Sequence, residues 1–411
     1  MAQNSHDSLG LYCSIPFCRA KCTYCNFASG VYPASDHARY VARIQQELAL
    51  ARSWAQEMQV QLPQSVDTVY FGGGTPVLLA PEHLSAIFAA MREHFEFQPD
   101  AEITVECAPG QLSDATLEAM VAAGVNRVSL GVQSFVDREA SLSGRLHTRA
   151  DVLNDLKRLR AAGIANLNLD LLAGLAEQTL ASWRESLSVL IDAKTPHGSV
   201  YMLEIDEDSR LGRELIGGGA RYGAGLVPND DTIAQMYEEA VAAFAQAGLE
   251  QYEISNFARK GFESRHNLRY WQRRPYLGLG LDASSMLRAE DGLVLRATTT
   301  DDLPEYLAGD AAPETAWLGP TQQLEEAWFL GLRRNAGVSL PALRKEFGGE
   351  AVARCEAVAH RLTDDGLLTI RRNIVRLTDR GRLISNDVFA EFLGLGVARE
   401  ETAEHEPALA Q

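Results

Sequence analysis

Along the first two-thirds of the chain, apolar residues at helical spacing alternate with short β-rich runs. An Ala-rich helical stretch that closes on a glycine and leads into such a run recurs. It is seen at Ala122-Ala123-Gly124 before Arg127–Gly131, at Ala161-Ala162-Gly163 before Ala165–Leu172, and at Gln246-Ala247-Gly248 before Gln251–Ser255. Glycine just past a helix end is the usual left-handed cap. Helix, glycine cap and strand in repetition predict βα units around a parallel sheet. Further strands are predicted at Leu11–Ile15, Thr68–Phe71, Ile103–Glu106 and Ser199–Ile205.

The pattern changes after a polar, turn-rich stretch over residues 292–320. Beyond it, amphipathic helices are predicted at Leu324–Leu332, Val338–Phe347 and Ala351–Leu362. A hairpin follows (Leu367–Ile370, Val375–Thr378), then a last helix over Gly381–Leu393. Helices plus a small hairpin resemble a winged-helix module, and its balanced charge suits packing or docking rather than DNA reading. The chain is therefore read as two domains, 1–300 and 301–411. The tail after Val397 is acidic and is expected to fray.

The ends of the predicted strands carry a common chemistry. In order they deliver Gly72-Gly73-Gly74-Thr75, Glu106, Gln133, Asp170, Glu204 and Asn256. Polar or glycine residues at successive C-terminal strand ends are what the active face of a βα barrel presents.

Composition narrows the picture further. A net charge of −17 over 411 residues argues against general nucleic-acid binding, which needs a basic surface. No apolar run approaches the ~20 residues that span a bilayer. The opening MAQNSHDSLG lacks a basic patch followed by an apolar stretch, so a cytoplasmic protein is expected.

Six cysteines are too few for a disulfide framework in a chain this long, and three of them crowd into eight residues. Cys18, Cys22 and Cys25 form a CxxxCxxC directly after the first strand. Zinc sites usually pair two CxxC units, and no second pair exists here. Three thiolates can hold three corners of a four-iron cluster and leave one iron open. Arg19 and Lys21 would offset the cluster's negative charge. Cys13, Cys107 and Cys355 are isolated and read as core residues.

The cysteine triplet with Tyr24 before its last member resembles the radical-SAM superfamily. Tyr70-Phe71-Gly72-Gly73-Gly74-Thr75-Pro76 resembles its glycine motif, and ITVECAPG (Ile103–Gly110), RVSLGVQSF (Arg127–Phe135) and LNLDLLAGL (Leu167–Leu175) resemble its later strands. The nearest resemblance is to the anaerobic coproporphyrinogen III dehydrogenase group and its paralogous heme-chaperone branch, HemW. The dehydrogenase has a fourth cysteine two residues after the last cluster cysteine, where this chain has Phe27. The chaperone branch has an HNxxYW motif, here His266-Asn267-Leu268-Arg269-Tyr270-Trp271. Both features favour the chaperone branch. The chain departs from the family pattern at Tyr12-Cys13-Ser14, at Gly174–Thr179 and at Gly280–Ser285.

This resemblance implies an α/β fold: a radical-SAM partial (β/α) barrel with a C-terminal winged-helix-like α+β domain. It implies a [4Fe-4S] cluster on Cys18, Cys22 and Cys25, S-adenosyl-L-methionine on its open iron, and heme. By carry-over, Gly73, Gly74 and Thr75 would contact S-adenosylmethionine, and Glu106 would accept from its amino group. Gln133 and Asp170 would serve the ribose, Arg145 would pair with the carboxylate, and Tyr12, Tyr24 and Glu204 would support them. His266 would face heme as an axial ligand, with Tyr270 and Trp271 as an apolar wall. Arg265, Arg269, Arg273 and Arg274 would form either a propionate site or a solvated basic face. The implied function is delivery of heme to apo-hemoproteins, membrane-associated ones included; the alternative is an oxygen-independent coproporphyrinogen III oxidase. The sequence leaves the oligomeric state open, a homodimer included.

Overall fold

The computed structural model describes residues 8–309 and 311–395; the acidic tail after Val397 lies outside them. The chain divides after Gly319 into two compact units.

Parallel strands build the first unit. In chain order the strands are β1 (Leu9–Ile15), β2 (Val60–Gln61), β3 (Ser65–Gly73), β4 (Glu96–Cys107), β5 (Arg127–Gln133), β6 (Asn166–Ala173), β7 (His197–Met202), β8 (Glu250–Gln251), β9 (Asn256–Ala258), β10 (Tyr276–Leu279), β11 (Ser284–Ala289), β12 (Val294–Thr298) and β13 (Glu314–Leu318). β1, β3, β4, β5, β6 and β7 lie side by side and parallel, which is the arc of a partial barrel. On one side β9 and β8 extend the sheet antiparallel to β7. On the other, β10 runs parallel to β1, and β11, β12 and β13 continue antiparallel.

The strands alternate, and the alternation assigns their faces. On β6, Leu167, Leu169 and Leu171 are fully buried on one face, and Asn168 and Asp170 project from the other. On β5, Val128, Leu130 and Val132 share one face, and Arg127, Ser129 and Gln133 the other. Side chains on a strand alternate with period two, so a strand between helices and a barrel interior shows both environments. Here the helix-facing set is apolar and the inward set polar. Such a lumen is built to surround a polar ligand rather than to close as a hydrocarbon core.

The helix Arg265–Trp271 packs against this lumen. Glu102, on the inward face of β4, accepts from the backbone N–H groups of Arg265 and His266, both at 3.0 Å. That carboxylate satisfies two of the orphan donors at the helix start. Arg269 is fully buried and ion-paired to Asp67, which also takes Arg274 at 2.8 Å. Arg265 lies beside Asp100. Arg269 and Arg274 thus share a buried carboxylate rather than forming a solvated face or an open anion site.

Three local expectations are corrected. The strand expected at Gln251–Ser255 is only β8, ending at Gln251; the chain then turns, with buried Glu253 accepting from the backbone of Ser255. The stretch over residues 292–320, expected as a polar, turn-rich boundary, is largely structured. It holds β12, the helix Leu303–Ala308 and β13. The last helix is broken at Ile384 into Asp379–Leu383 and Ser385–Ala390.

The second unit packs the helices Pro320–Arg333, Leu340–Phe347 and Gly349–Asp364 with a small antiparallel sheet. Its strands β14 (Val338–Ser339), β15 (Leu368–Arg371) and β16 (Ile374–Leu377) lie in the order β14-β16-β15. Trp328 stacks on Phe392 at its centre, ring centroids 4.5 Å apart.

Candidate functional site

A cavity of about 320 Å³ opens at the C-terminal ends of the barrel strands. Cys18, Cys22 and Cys25 sit half-buried at its mouth. Their loop is fixed on three sides. Cys18 donates its backbone N–H to Gly30 at 2.8 Å, Thr23 donates to Ser143 at 3.0 Å, and Leu211 donates to Thr23 at 2.9 Å. Thr75 Oγ1 lies 3.9 Å from Cys18 Sγ, and Ser29 Oγ lies 3.9 Å from Cys25 Sγ. Burial pushes the Cys18 thiol up, and the hydroxyls of Ser29 and Thr75 oppose that shift.

The donor set fits a cluster better than a single ion. Among the described residues, no three His, Cys, Asp or Glu groups converge tightly enough for one metal ion. A four-iron cluster is a larger body that takes one thiolate per corner. The adjacent glycines form a cradle. Gly74 donates to Ile15 O at 2.8 Å, and a Cβ there would lie 2.8 Å from Ile15 O and 2.9 Å from Phe17 O. Gly73 adopts φ +95°, a conformation that favours glycine. The backbone of β3 therefore presses against the cysteine loop at a distance no side chain allows.

Deeper in, Glu106 projects from β4 across Gly72, where an added Cβ would lie 3.2 Å from its carboxyl. Burial pushes the Glu106 carboxyl up to about 7, although Tyr70 donates to it at 2.7 Å. Asp170 accepts from Ser129 at 3.1 Å and from Asn168 at 2.7 Å, and burial raises it too. Gln133 holds φ +68° at a register shift between β5 and β6, an uncommon conformation that turns its side chain at the cavity. Arg145 donates to the Tyr24 hydroxyl at 2.9 Å, and its guanidinium lies over Gly131, within 3.1 Å of where a Cβ would stand.

The cavity thus gathers Cys18, Cys22, Cys25, Tyr24, Gly73, Gly74, Thr75, Glu106, Gln133, Arg145 and Asp170 from six separate stretches of chain. Three expected residues do not line it. Tyr12 lies behind, its ring 6.2 Å from that of Tyr70. Glu204 is exposed.

His266 is fully buried, and both ring nitrogens are engaged, Nδ1 with Thr68 Oγ1 at 2.9 Å and Nε2 with Tyr270 Oη at 2.8 Å. Arg269 Nε also donates to the Thr68 hydroxyl, at 3.3 Å. Burial holds the ring neutral, its pKa down at about 3. In this arrangement both imidazole nitrogens are engaged within the protein, whereas an axial ligand needs a nitrogen lone pair free toward the iron. It is Asn267, the next residue of the motif, that reaches the cavity.

Sequence reasoning missed Tyr70, Arg127, Ser129, Asn168 and Ser199, all of which line the cavity. The signal was present as polar residues two apart on one strand, in Arg127-x-Ser129 and Asn168-x-Asp170.

Residues 12–190 match the profile of the Radical SAM superfamily and residues 318–384 that of the HemN C-terminal domain. The heme chaperone HemW of Lactococcus lactis is 32% identical over 93% of this chain and 96% of its own length. HemW of Bacillus subtilis is 32% identical, covering 93% and 98%, and that of Escherichia coli 30%, covering 94% and 98%. Among solved structures, the E. coli coproporphyrinogen III oxidase HemN, a radical SAM enzyme, matches with a TM-score of 0.80. It covers 95% of this chain and 91% of that one, and at 22% identity this likeness shows the fold.

Proposed function

The chain belongs to the HemW family of radical SAM proteins, and we propose from that premise that it carries heme to apo-hemoproteins, with a [4Fe-4S] cluster and S-adenosylmethionine as resident groups. Cys18, Cys22 and Cys25 would hold the cluster. Gly73, Gly74 and Thr75 would take the amino-acid end of S-adenosylmethionine through backbone and hydroxyl groups. Glu106 would accept from its amino group, a charge-assisted bond. Arg145, oriented by Tyr24, would meet the carboxylate with its guanidinium fork. Gln133 and Asp170 would receive the ribose hydroxyls. When bound, the cluster supplies single electrons to S-adenosylmethionine; the chain holds both and keeps water from them.

The observation that carries the heme reading is the rim of the cavity. Phe27 and Leu146 lie there 60% and 62% exposed, with Arg19 and Lys21 beside the cysteines. Exposed apolar side chains at the mouth of a cleft offer contact area to a flat ligand. Flat apolar contact flanked by cations suits a macrocycle bearing propionates. Phe27 also occupies the place of the fourth cysteine of the dehydrogenase branch, which weighs against coproporphyrinogen oxidation. No helix among the described residues is long and apolar enough to cross a membrane.

The test is a paired assay on anaerobically reconstituted protein: heme titration beside coproporphyrinogen turnover. Saturable heme binding without decarboxylation is expected. Turnover without heme binding would overturn the reading in favour of the oxidase.

A further inference from the structure

The cavity continues past the residues assigned to S-adenosylmethionine, toward the N-terminal ends of the strands. Arg127 stands there, six residues before Gln133 on the same face of β5, about 20 Å of strand. It is 1% exposed and lines the cavity. Its Nε is buried without a hydrogen-bond partner, and no described residue accepts from its guanidinium. Thr104, its register partner on β4, is fully buried and its Oγ1 also lacks a partner.

The surrounding polar groups do not relieve this. Asn168 donates to Ser129, Asp170 and Ser199, and Ser199 donates to Asn256. They satisfy one another and leave Arg127 out. Glu106 and Asp170 lie close enough to feel its charge but do not accept from it. A buried guanidinium with unused donors is costly unless something fills them.

We propose that this floor is a carboxylate subsite, in which Arg127, backed by the buried Thr104, receives the carboxylate of a molecule bound beneath S-adenosylmethionine. The planar fork of arginine matches a carboxylate. The neighbouring Glu106 and Asp170 carboxyls disfavour added negative charge, a doubly charged phosphate more than a singly charged carboxylate. The lumen walls are hydroxyls and amides, so the group that enters is small and polar rather than a macrocycle face. The proposal rests on the reading of the upper cavity as the S-adenosylmethionine site and is independent of whether heme binds at the rim.

The experiment titrates carboxyl-¹³C propionate into anaerobically reconstituted protein saturated with S-adenosylmethionine and reads carboxyl line broadening by NMR. Saturable broadening is expected for the native chain. Arg127→Lys, which keeps the charge but loses the fork, should weaken it about tenfold, and Thr104→Val about threefold. Iron content and S-adenosylmethionine affinity should stay within about twofold in both, at a pH above the Glu106 transition. Absence of saturable broadening in the native chain overturns the proposal, as does unchanged binding in both variants. Equal loss of propionate and S-adenosylmethionine affinity in Arg127→Lys also overturns it, since Arg127 would then serve only the upper site. Failure of heme to bind in a parallel titration would count against the carrier reading alone. Coproporphyrin III distinguishes the source: competition marks a porphyrin propionate, and its absence marks a free small carboxylate.

Discussion

The Tyr70 phenol donates to Glu106 Oε1 at 2.7 Å while its ring lies against the imidazole of His266, centroids 5.2 Å apart. This contact links the helix Arg265–Trp271 to the acidic group at the centre of the cavity. The same helix is anchored to β4 through Glu102, two turns of pleat below Glu106. The HNxxYW segment therefore supports the cavity from beneath.

The Tyr70–Glu106 bond has a pH signature. Glu106 titrates near about 7 because burial disfavours its charge, and the Tyr70 hydroxyl favours the ionised form. An amino group binds the carboxylate and not the neutral acid, so S-adenosylmethionine affinity should rise as pH passes upward through about 7. Tyr70→Phe should move that midpoint up by about one unit. Titration of reconstituted protein with S-adenosylmethionine between about pH 6 and 9 checks it; an unmoved midpoint would refute the role of Tyr70.

His266 should matter to stability against acid rather than to heme. Its pKa is lowered from 6.5 to about 3 in the fold, so between those values the unfolded chain binds a proton that the folded chain does not. Stability is then lost as pH falls from 6.5 toward 3. His266→Gln should flatten that fall by about 1.4 kcal/mol per pH unit. Chemical denaturation at a series of pH values reads the slope. In the same variant, heme affinity at pH 7.5 or so should remain within about threefold. A complete loss with the fold intact would restore the axial role.

Single replacements of Cys18, Cys22 or Cys25 by Ser should abolish cluster assembly, read as iron content and visible absorbance. Cys13 and Cys355 are buried and do not line the cavity, so Ala at either should leave iron loading unchanged. Loss of iron in Cys13→Ala, the isolated cysteine nearest the triplet, would show that the ligand set is wrong.

Gly74→Ala tests the cradle. The new Cβ would stand 2.8 Å from Ile15 O and 2.9 Å from Phe17 O, both backbone atoms that cannot swing aside. Overpacking of this kind costs about 1–3 kcal/mol. The expected outcome is a lower melting temperature together with loss of S-adenosylmethionine binding. Gly163→Ala serves as a control for a crowded site, because nothing lies within 4 Å of its Cβ position. Its φ of +89° leaves only the backbone strain.

Arg269→Met tests the buried ion pair. Removing one partner leaves the Asp67 carboxylate buried beside Arg274 alone. Breaking such a pair costs about 3–5 kcal/mol. Denaturant unfolding should show a drop of that order; a drop below about 1 kcal/mol would mean that Arg274 carries the site by itself.

Taken alone, the sequence determined what is local. Cysteine spacing, the glycine run and the polar ends of the strands are set by a few adjacent residues, so the cluster loop and most of the cavity wall were legible. The glycine caps after each helix announced the βα order. What escaped was decided by distant partners. β13 is exposed on both faces, so Glu314–Leu318 carries no amphipathic signature, and only its pairing with β12 makes it a strand. Arg127 reads as the start of an ordinary strand; its isolation inside the barrel comes from the register with β4 and β6. His266 had the residue type of a ligand, and only the fold engaged both nitrogens, Nδ1 with Thr68 on β3 and Nε2 with Tyr270 one turn on in its own helix. Chemistry was written in residue types, but which groups keep a free hydrogen bond was decided by tertiary structure, because burial and partners are set by strands far apart in the chain.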